Sequence, residues 1–199
     1  YYIKNYYKHT AIIQNTSTEK RVEQLKESEK ALVEKIWKYA DGRTIVIPLS
    51  GGYDSRYLLA VLKQSNYPNI ECFTYGKTDS FEVLTAKKVC EQLQVKWHFV
   101  EYDDELLKLF FTEKWQQYAS LNHHYTSLPH EQDFFSLHYL KERNIIPKEA
   151  VIMNGFCQDI HSGSYLEEKK KFNLNNHIFE KHAIKPILSA YENNWTGYR

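Results

Sequence analysis

A short apolar run that ends in a glycine turn constrains this chain more than any other stretch. Residues 44–49 (Thr-Ile-Val-Ile-Pro-Leu) are rich in β-branched side chains and have the length of a buried strand. Residues 50–55 (Ser-Gly-Gly-Tyr-Asp-Ser) form the turn, and residues 56–62 can cover one helical face with apolar side chains. In such a unit, backbone amides and a helix N-terminus converge on one point. The stretch therefore predicts an α/β unit that binds an anion.

The side chains of the turn indicate which anion. Gly51 and Gly52 let the backbone approach a phosphate without a Cβ atom in the way. The hydroxyls of Ser50 and Ser55 can donate hydrogen bonds to phosphate oxygens. Asp54 would repel a phosphate directly, so its presence suggests a metal ion between the carboxylate and the phosphate. Because the turn has no lysine, we predict a phosphate site of a different type from the GxxxxGK[ST] loop.

Strand and helix patterns alternate along the rest of the chain. They predict, in order, a strand at 70–76, a helix at 80–93, a strand at 96–101, a helix at 104–118, a helix ending near 143 and a strand at 150–154. A further helix starts at residue 17 and is stopped by Asp41 and Gly42. This alternation predicts an α/β fold, a doubly wound, mostly parallel, Rossmann-like sheet with helices on both faces. Ligands of such sheets bind beyond the carboxyl ends of the strands, where the glycine turn is placed.

Composition adds limits on partners and location. The 199 residues fit one domain, and 42% of them are hydrophobic and 26% charged. The formal net charge of +1 gives no electrostatic reason to expect a nucleic acid or an anionic membrane as the main partner. No apolar run is long enough to span a bilayer, and the three cysteines form no CxxC pair, which suggests reduced thiols. We therefore predict a cytoplasmic protein with no membrane insertion and no nucleic-acid partner.

The strand pattern at 150–154 leads into a second informative loop. Gly155 would permit a ligand to approach closely, and Asp159 would project a carboxylate from a loop of small residues. A plain turn at the end of a strand is the alternative interpretation. Upstream, residues 119–130 are predicted to be a polar loop rather than a metal site, because no nearby Cys or further His has zinc-ligand spacing.

The first turn also resembles that of a known protein family. Ser-Gly-Gly-x-Asp-Ser after a hydrophobic strand resembles the pyrophosphate-binding loop (PP-loop) of the N-type ATP pyrophosphatases, which have the adenine nucleotide alpha hydrolase-like fold. Within that group the chain most resembles the synthetase domain of asparagine synthetase-like (asparagine synthase-related) proteins. Their second signature is Ser-Gly-Glu-Gly-x-Asp-Glu-x-x-Gly-Gly-Tyr. Its Ser, Gly, Asp, Gly and Tyr align with Asn154, Gly155, Asp159, Gly163 and Tyr165.

This resemblance implies an ATP-dependent carbon–nitrogen ligase that requires ATP and Mg²⁺. Such enzymes adenylate a carboxylate by attack on the α-phosphate of ATP, release pyrophosphate, and transfer the acyl group to ammonia or an amine. Catalysis would come mainly from positioning and from neutralisation of charge on the leaving pyrophosphate. By this resemblance, the β- and γ-phosphates would be bound by Ser50, Gly51, Gly52 and Ser55. One Mg²⁺ would be held by both Asp54 and Asp159. The adenosine would be bordered by the backbone around Tyr75, Asn154 and Gly155.

The resemblance sets further expectations for domains and partners. Residues 1–16 would be a connecting segment or the tail of a preceding glutamine-hydrolysing domain that supplies ammonia. Residues 17–199 would be an ATP-pyrophosphatase domain incomplete at its C-terminus. The substrates would be ATP and a small carboxylic acid, either aspartate or a sugar acid of polysaccharide biosynthesis. A substrate-side loop and helix in this family make Ser127, His130 and Asp133 candidates for binding substrate or nucleotide.

Two departures from the family pattern leave other functions open. Phe156 and Ile160 stand where asparagine synthetases have glutamates, and the first of those glutamates lies at the acyl-transfer chemistry. One alternative is therefore a nucleotide-binding regulatory or structural module that has lost acyl transfer. The other is a different PP-loop enzyme, such as a tRNA-modifying one, although those usually need a basic RNA face or catalytic cysteines.

Overall fold

The computed structural model describes residues 16–122 and 131–155. Its contacts divide the chain into two units, and the description below concerns the unit Ser28–Gly155. The other unit contributes only residues 16–27, the start of the first helix, to the described part. The elements are α1 (Thr18–Ala40), β1 (Ile45–Pro48), α2 (Tyr53–Gln64), β2 (Ile70–Gly76), α3 (Phe81–Leu93), β3 (Lys96–Glu101), α4 (Asp104–Leu107), α5 (Glu113–Asn122), α6 (Gln132–Glu142) and β4 (Val151–Ile152).

The four strands form one parallel sheet in the order β3-β2-β1-β4. The chain moves outward from β1 through α2 to β2 and through α3 to β3, and then returns past β1 to β4. Strand order therefore reverses between β1 and β4, and their carboxyl ends flank the crevice in which open α/β sheets bind ligands. The α/β fold predicted from the alternation of patterns is confirmed.

Helices cover both faces of the sheet because β1 is apolar on both sides. Ile45, Val46 and Ile47 are all 0% exposed. Ile45 and Ile47 pack in one core cluster with residues of α1, α2 and α3, whereas Val46 packs in a second cluster with Leu140 of α6. A continuous β-branched run of this kind is typical of a parallel strand buried on both faces.

Element boundaries agree best with the sequence where a turn residue marks them. α1 ends at Ala40, and Asp41 and Gly42 both have positive φ angles, of 48° and 76°. α3 begins after Ser80, whose hydroxyl accepts a hydrogen bond from the amide of Val83. β4 is shorter than predicted, because only Val151 and Ile152 pair with β1.

The single helix predicted at 104–118 is wrong. The structure has two helices there, α4 and α5, separated by a turn in which Phe111 has a φ angle of 62°. Phe111 lies four residues after α4 ends at Leu107, and the hydroxyl of Thr112 then accepts a hydrogen bond from the amide of Trp115 in the first turn of α5. Thr112 is therefore the sequence signal for a new helix start that the apolar pattern concealed.

Only some of the apolar side chains of α3 are buried. Val83, Ala86 and Cys90 are buried, but Phe81 and Leu84 are 76% and 57% exposed. At 100° per residue the three buried side chains share one stripe, and the other two point well away from it. Phe81 is thereby left on the surface at the start of α3.

The C-terminal end of α3 offers a stability test. Gln94 has a left-handed backbone (φ 51°, ψ 51°) and an exposed side chain. Glycine adopts this conformation without the Cβ penalty, so we expect Gln94→Gly to raise the free energy of unfolding by about 0.5–1 kcal/mol. Gln92→Gly, at an exposed position inside the same helix, should instead lower it by about 1 kcal/mol. Denaturant titration of both variants measures the two shifts, and a loss of stability in Gln94→Gly would contradict the expectation.

The described part of the chain has no helix long and apolar enough to cross a membrane. Its cysteines, Cys72 and Cys90, are both buried as free thiols in the core around α3. A free cysteine without a reactive role behaves as a small hydrophobic residue and is usually buried. Neither cysteine therefore belongs to the site described next.

Candidate functional site

The turn at residues 50–55 and Gly155, the first residue of the second loop singled out in the sequence, meet at the crevice between β1 and β4. A Cβ atom built on Gly155 would lie 2.9 Å from the backbone nitrogen of Ser55 and 3.0 Å from the carbonyl carbon of Asp54. The chain after β4 therefore lies directly against the first turn of α2. Any side chain at residue 155 would separate the two stretches, so the close approach explains why glycine is needed there.

Hydrogen bonds within the turn at residues 50–55, which we call the phosphate turn, involve both of its serines. The amide of Ser50 donates to Oγ of Ser55 over 3.1 Å, and the amide of Gly52 donates to Oγ of Ser50 over 3.1 Å. The two hydroxyl oxygens also lie 3.1 Å apart, so one hydroxyl donates to the other. Each hydroxyl has a single proton, so one proton of the pair stays available to a ligand. The serines therefore shape the turn as well as offering a donor.

The N-terminus of α2 has the features of an anion site. Gly52 is its N-cap residue and contributes no side-chain hydrogen bond. The first amides of a helix have no partner within the helix, and together with the helix dipole they favour a negative charge. The glycine backbone and the amides without a side-chain cap fit a phosphate group.

Asp54 is the acidic residue of the phosphate turn, and its carboxylate is a candidate ligand for a cation. It lies in the first turn of α2 and is partly exposed. Mg²⁺ is commonly held by one or two carboxylates together with phosphate oxygens, so the residues fit that ion once a phosphate is bound. Among residues 16–122 and 131–155, no group of three or more His, Cys, Asp and Glu side chains is placed to hold a metal without one. Asp159, the predicted second carboxylate, lies outside the described residues.

Two exposed aromatic rings flank the phosphate turn, and the sequence analysis missed both. A Cβ atom on Gly51 would lie 3.0 Å from the ring of Phe81. Tyr53 is 83% exposed, and the guanidinium carbon of Arg56 lies 4.6 Å from the centre of its ring. The Nε of Arg56 donates to the carbonyl of Gly52 over 3.0 Å. The turn is thus bordered by planar faces and one cation, surfaces that can contact parts of a ligand beyond its phosphates.

The end of β2 holds the residue that precedes the phosphate turn. Leu49 donates its amide proton to the carbonyl of Phe73 over 2.8 Å and accepts a bond from the hydroxyl of Thr74 over 2.7 Å. Thr74 is 4% exposed and also accepts a bond from Nε1 of Trp97 over 3.0 Å. The start of the phosphate turn is therefore fixed by β2 as well as by β1.

The remaining predicted site residues differ in exposure. Asn154 is exposed and Gly155 partly exposed at the crevice. The side chain of Tyr75 packs against the second core cluster, where its ring stacks on that of Tyr102. Burial, and then the negative charge of Asp133, raises the pKa of Tyr75. The structure therefore leaves only the backbone of Tyr75 for the predicted role.

Asp133 was a candidate for binding substrate or nucleotide, and the structure makes direct contact with a ligand difficult. Its side chain is buried, with the residue 5% exposed, at the start of α6. A carboxylate so placed needs hydrogen-bond partners rather than solvent. The other two candidates in this region, Ser127 and His130, lie outside the described residues.

The raised pKa of Tyr102 predicts that the protein loses stability at alkaline pH. Burial raises the pKa of Tyr102 to about 12, whereas a tyrosine in an unfolded chain has a pKa of about 10. The folded state therefore keeps this proton more strongly, and the stabilisation is complete below pH 10 and is lost as the pH rises towards 12. We expect the gap in unfolding free energy between the wild type and Tyr102→Phe to stay constant up to about pH 10 and to narrow above it. Denaturant titrations from pH 8 to 12 measure that gap, and an unchanged gap would refute the assignment.

Comparison with known proteins gives one family match. The family model described as "Queuosine biosynthesis protein QueC" matches residues 44–171, which include the phosphate turn, β4 and the loop that follows it. No curated protein matches the chain. The match supports the predicted PP-loop superfamily of ATP-using enzymes, but it does not support the narrower resemblance to asparagine synthetase-like proteins.

Similar folds occur among solved structures at low sequence identity. An NH3-dependent NAD synthetase from Campylobacter jejuni is 16% identical with a TM-score of 0.48, and the alignment covers 72% of this chain and 60% of that one. The U34-tRNA thiolase NcsA from Methanococcus maripaludis is 17% identical with a TM-score of 0.37, over 70% of this chain and 51% of that one. This chain thus spans less than two thirds of either protein. By the family match over residues 44–171, the chain belongs to the family of the queuosine biosynthesis protein QueC.

Proposed function

We propose that the chain is the nucleotide-binding part of an enzyme that uses ATP to adenylate a small carboxylic acid on the route to a modified nucleoside. The observation that carries the proposal is the phosphate turn. It joins a glycine backbone to the N-terminus of α2, which has no side-chain cap, beside Gly155 at the reversal of strand order. The family description names queuosine biosynthesis, and this supports a role in making a modified nucleoside.

Each part of the phosphate turn has a distinct role in this proposal. The amides at the start of α2, the backbone of Gly51 and Gly52, and the free proton of the Ser50–Ser55 pair bind the β- and γ-phosphates. Asp54, with Asp159 from the second loop, would hold Mg²⁺, and that ion would supply neutralisation of the negative charge on the departing pyrophosphate.

The reaction then divides into two balanced steps. An oxygen of the acid attacks the α-phosphorus of ATP, the bond to the bridging oxygen breaks, and pyrophosphate leaves with that electron pair. Ammonia or an amine next attacks the acyl carbon, and AMP leaves as the amide forms. The protein contributes mainly by holding the two reacting groups in line. In-line attack requires the pyrophosphate to face the turn and the acid to face away from it.

The identity of the acid is the finer part of the proposal. A heterocyclic acid that is a precursor of a modified nucleoside is favoured over aspartate and over a sugar acid, because the family description names a nucleoside product. A small precursor is also favoured over tRNA itself, because the net charge of +1 offers no overall attraction to a polyanion. The tRNA-modifying alternative remains the second candidate, supported by the same family description.

Pyrophosphate release by the intact protein tests the proposal. The protein is incubated with ATP and Mg²⁺ alone, then with a panel of heterocyclic, sugar and amino acids, and separately with tRNA. Release that depends on a heterocyclic acid is the expected result. Release that depends on tRNA would support the second candidate instead, and tight ATP binding without release under any condition would identify a nucleotide-binding module.

A further inference from the structure

A buried polar cluster connects the ends of β2 and β3 to the first turn of α6. We call Tyr75, Tyr102, Asp133 and Ser136 the tyrosine–aspartate cluster. The rings of Tyr75 and Tyr102 stack with their centres 4.7 Å apart and their planes 10° from parallel. Asp133 and Ser136 are 5% and 0% exposed. The cluster therefore lies inside the protein, at the same edge of the sheet as the phosphate turn.

The hydrogen bonds around Tyr102 have only one consistent arrangement of protons. Its hydroxyl lies 2.5 Å from the carbonyl oxygen of Gln132 and 2.6 Å from Oγ of Ser136. A carbonyl oxygen can only accept, so Tyr102 donates to Gln132 and accepts from Ser136. Both protons are thereby committed to holding α6 against the end of β3, and neither is available to a ligand.

Tyr75 makes the equivalent connection for β2. Its ring stacks on that of Tyr102, and the negative charge of the buried Asp133, in the first turn of α6, acts on its hydroxyl. The cluster thus fixes the ends of two neighbouring strands to one helical turn.

A short path leads from this cluster to the phosphate turn. Tyr75 follows Thr74, whose hydroxyl donates to the carbonyl of Leu49 over 2.7 Å, and Leu49 immediately precedes Ser50. The amide of Leu49 is also bonded to the carbonyl of Phe73 over 2.8 Å. A displacement of the end of β2 would therefore be passed through Leu49 to the first residue of the turn.

We propose that the tyrosine–aspartate cluster positions the phosphate turn, so that Tyr102 and Asp133 are positioning residues for ATP without touching it. The inference rests on the proposed function for the identity of the ligand. Its mechanical part rests only on the hydrogen bonds and stacking described above. Loosening the cluster moves the end of β2, and the turn then presents its amides less accurately to a phosphate.

A matched pair of variants separates positioning from general stability. Tyr102→Phe removes a hydroxyl at the carboxyl end of the sheet, and with it the bond to the carbonyl of Gln132 and the bond from Ser136. Tyr67→Phe removes a partly buried hydroxyl, which donates to the carbonyl of Arg43 over 2.6 Å at the amino ends of β1 and β2. Both variants lose a hydroxyl-to-carbonyl bond, so both are expected to unfold at a somewhat lower temperature. Only Tyr102→Phe should affect the turn.

Two measurements on the intact protein then test the proposal. Without ligand, the amides of Ser50 and Gly52 should exchange hydrogen roughly three- to tenfold faster in Tyr102→Phe than in Tyr67→Phe. In the pyrophosphate assay, KM for ATP should rise by a similar factor in Tyr102→Phe, with kcat changed less.

The possible failures are distinguishable. If Tyr102→Phe and Tyr67→Phe give equal exchange at the turn, the cluster is only structural and the proposal is overturned. If Tyr102→Phe does not fold, Ser136→Ala replaces it, because it removes the hydroxyl that donates to Tyr102 and leaves that ring in place. If the wild type releases no pyrophosphate, the proposed function fails, while hydrogen exchange at the turn still decides whether the cluster positions it.

Discussion

Replacing Asp54 with alanine is expected to reduce pyrophosphate release about 100-fold or more. Asp54 lies in the first turn of α2, beside the amides that would receive the β- and γ-phosphates. On the proposed function, the variant would lose the carboxylate that holds Mg²⁺ beside those phosphates, and with it the neutralisation of the leaving group. The folded state loses little, since a first-turn acidic residue contributes only about 0.3–1 kcal/mol through the helix dipole. Activity and stability should therefore separate clearly in this variant.

The control for this prediction removes a carboxylate elsewhere. Asp54→Asn and Asp41→Asn make the same chemical change at opposite ends of the sheet, and asparagine tolerates the positive φ angle of Asp41. Steady-state pyrophosphate release at several Mg²⁺ concentrations is the measurement. Loss in Asp54→Asn with normal release in Asp41→Asn supports the metal role, whereas undiminished activity in Asp54→Ala removes Asp54 from the mechanism.

Replacing Gly155 with alanine is expected to have the second large effect. The new Cβ atom would meet two backbone atoms of α2, at 2.9 Å and 3.0 Å, and neither can move without shifting the helix. We expect a loss of about 1–3 kcal/mol in the free energy of unfolding, as in other overpacked sites. We also expect ATP affinity to fall by about tenfold or more, because the shift acts on the residues that form the phosphate site.

Two other glycines provide controls for Gly155→Ala. Gly51→Ala would meet mainly the ring of Phe81, which is 76% exposed and can turn aside, so its loss of stability should be smaller. Gly42→Ala meets nothing within 4 Å but is strained by its φ angle of 76°, so it should lower stability without changing ATP affinity. Chemical denaturation and calorimetric titration with ATP measure both quantities. Equal affinity in Gly155→Ala and the wild type would show that the close approach has no part in binding.

The fold was predictable from sequence because local signals and global architecture agree. β2 and β3 have the predicted bounds, and Ser80 marks the start of α3 as an N-cap residue should. The run at 44–49 is buried on both faces, as its unbroken apolar character indicates. Where periodicity was the only guide, the prediction failed. The pattern continued across residues 108–112, although α4 ends at Leu107 and Phe111, in the turn before α5, has a left-handed backbone.

The site was predictable only in part, for a different reason. Gly155 and the phosphate turn could be placed together because parallel strands bring their carboxyl ends to one edge. The tyrosine–aspartate cluster had no comparable signal, since Tyr75, Tyr102 and Asp133 are far apart in the sequence and meet only through tertiary packing. The exposure of Phe81 was missed because the sequence pattern predicts burial for a hydrophobic residue at a helix start, and the orientation of the helix is known only from the structure.

The brevity of β4 has a consequence for the order in which the protein becomes competent to bind a ligand. β4 is held to β1 by pairing at Val151 and Ile152 and by one further hydrogen bond, from the amide of Met153 to the carbonyl of Val46, yet it brings Gly155 to the crevice. During synthesis the chain can complete β1, β2 and β3 while half of the crevice is still missing. A phosphate compound that contacts both sides would bind only after the last strand has joined, and mass action would then hold that strand in place. On the proposed function, binding of cellular nucleotide would therefore stabilise β4 against β1 in the newly made protein.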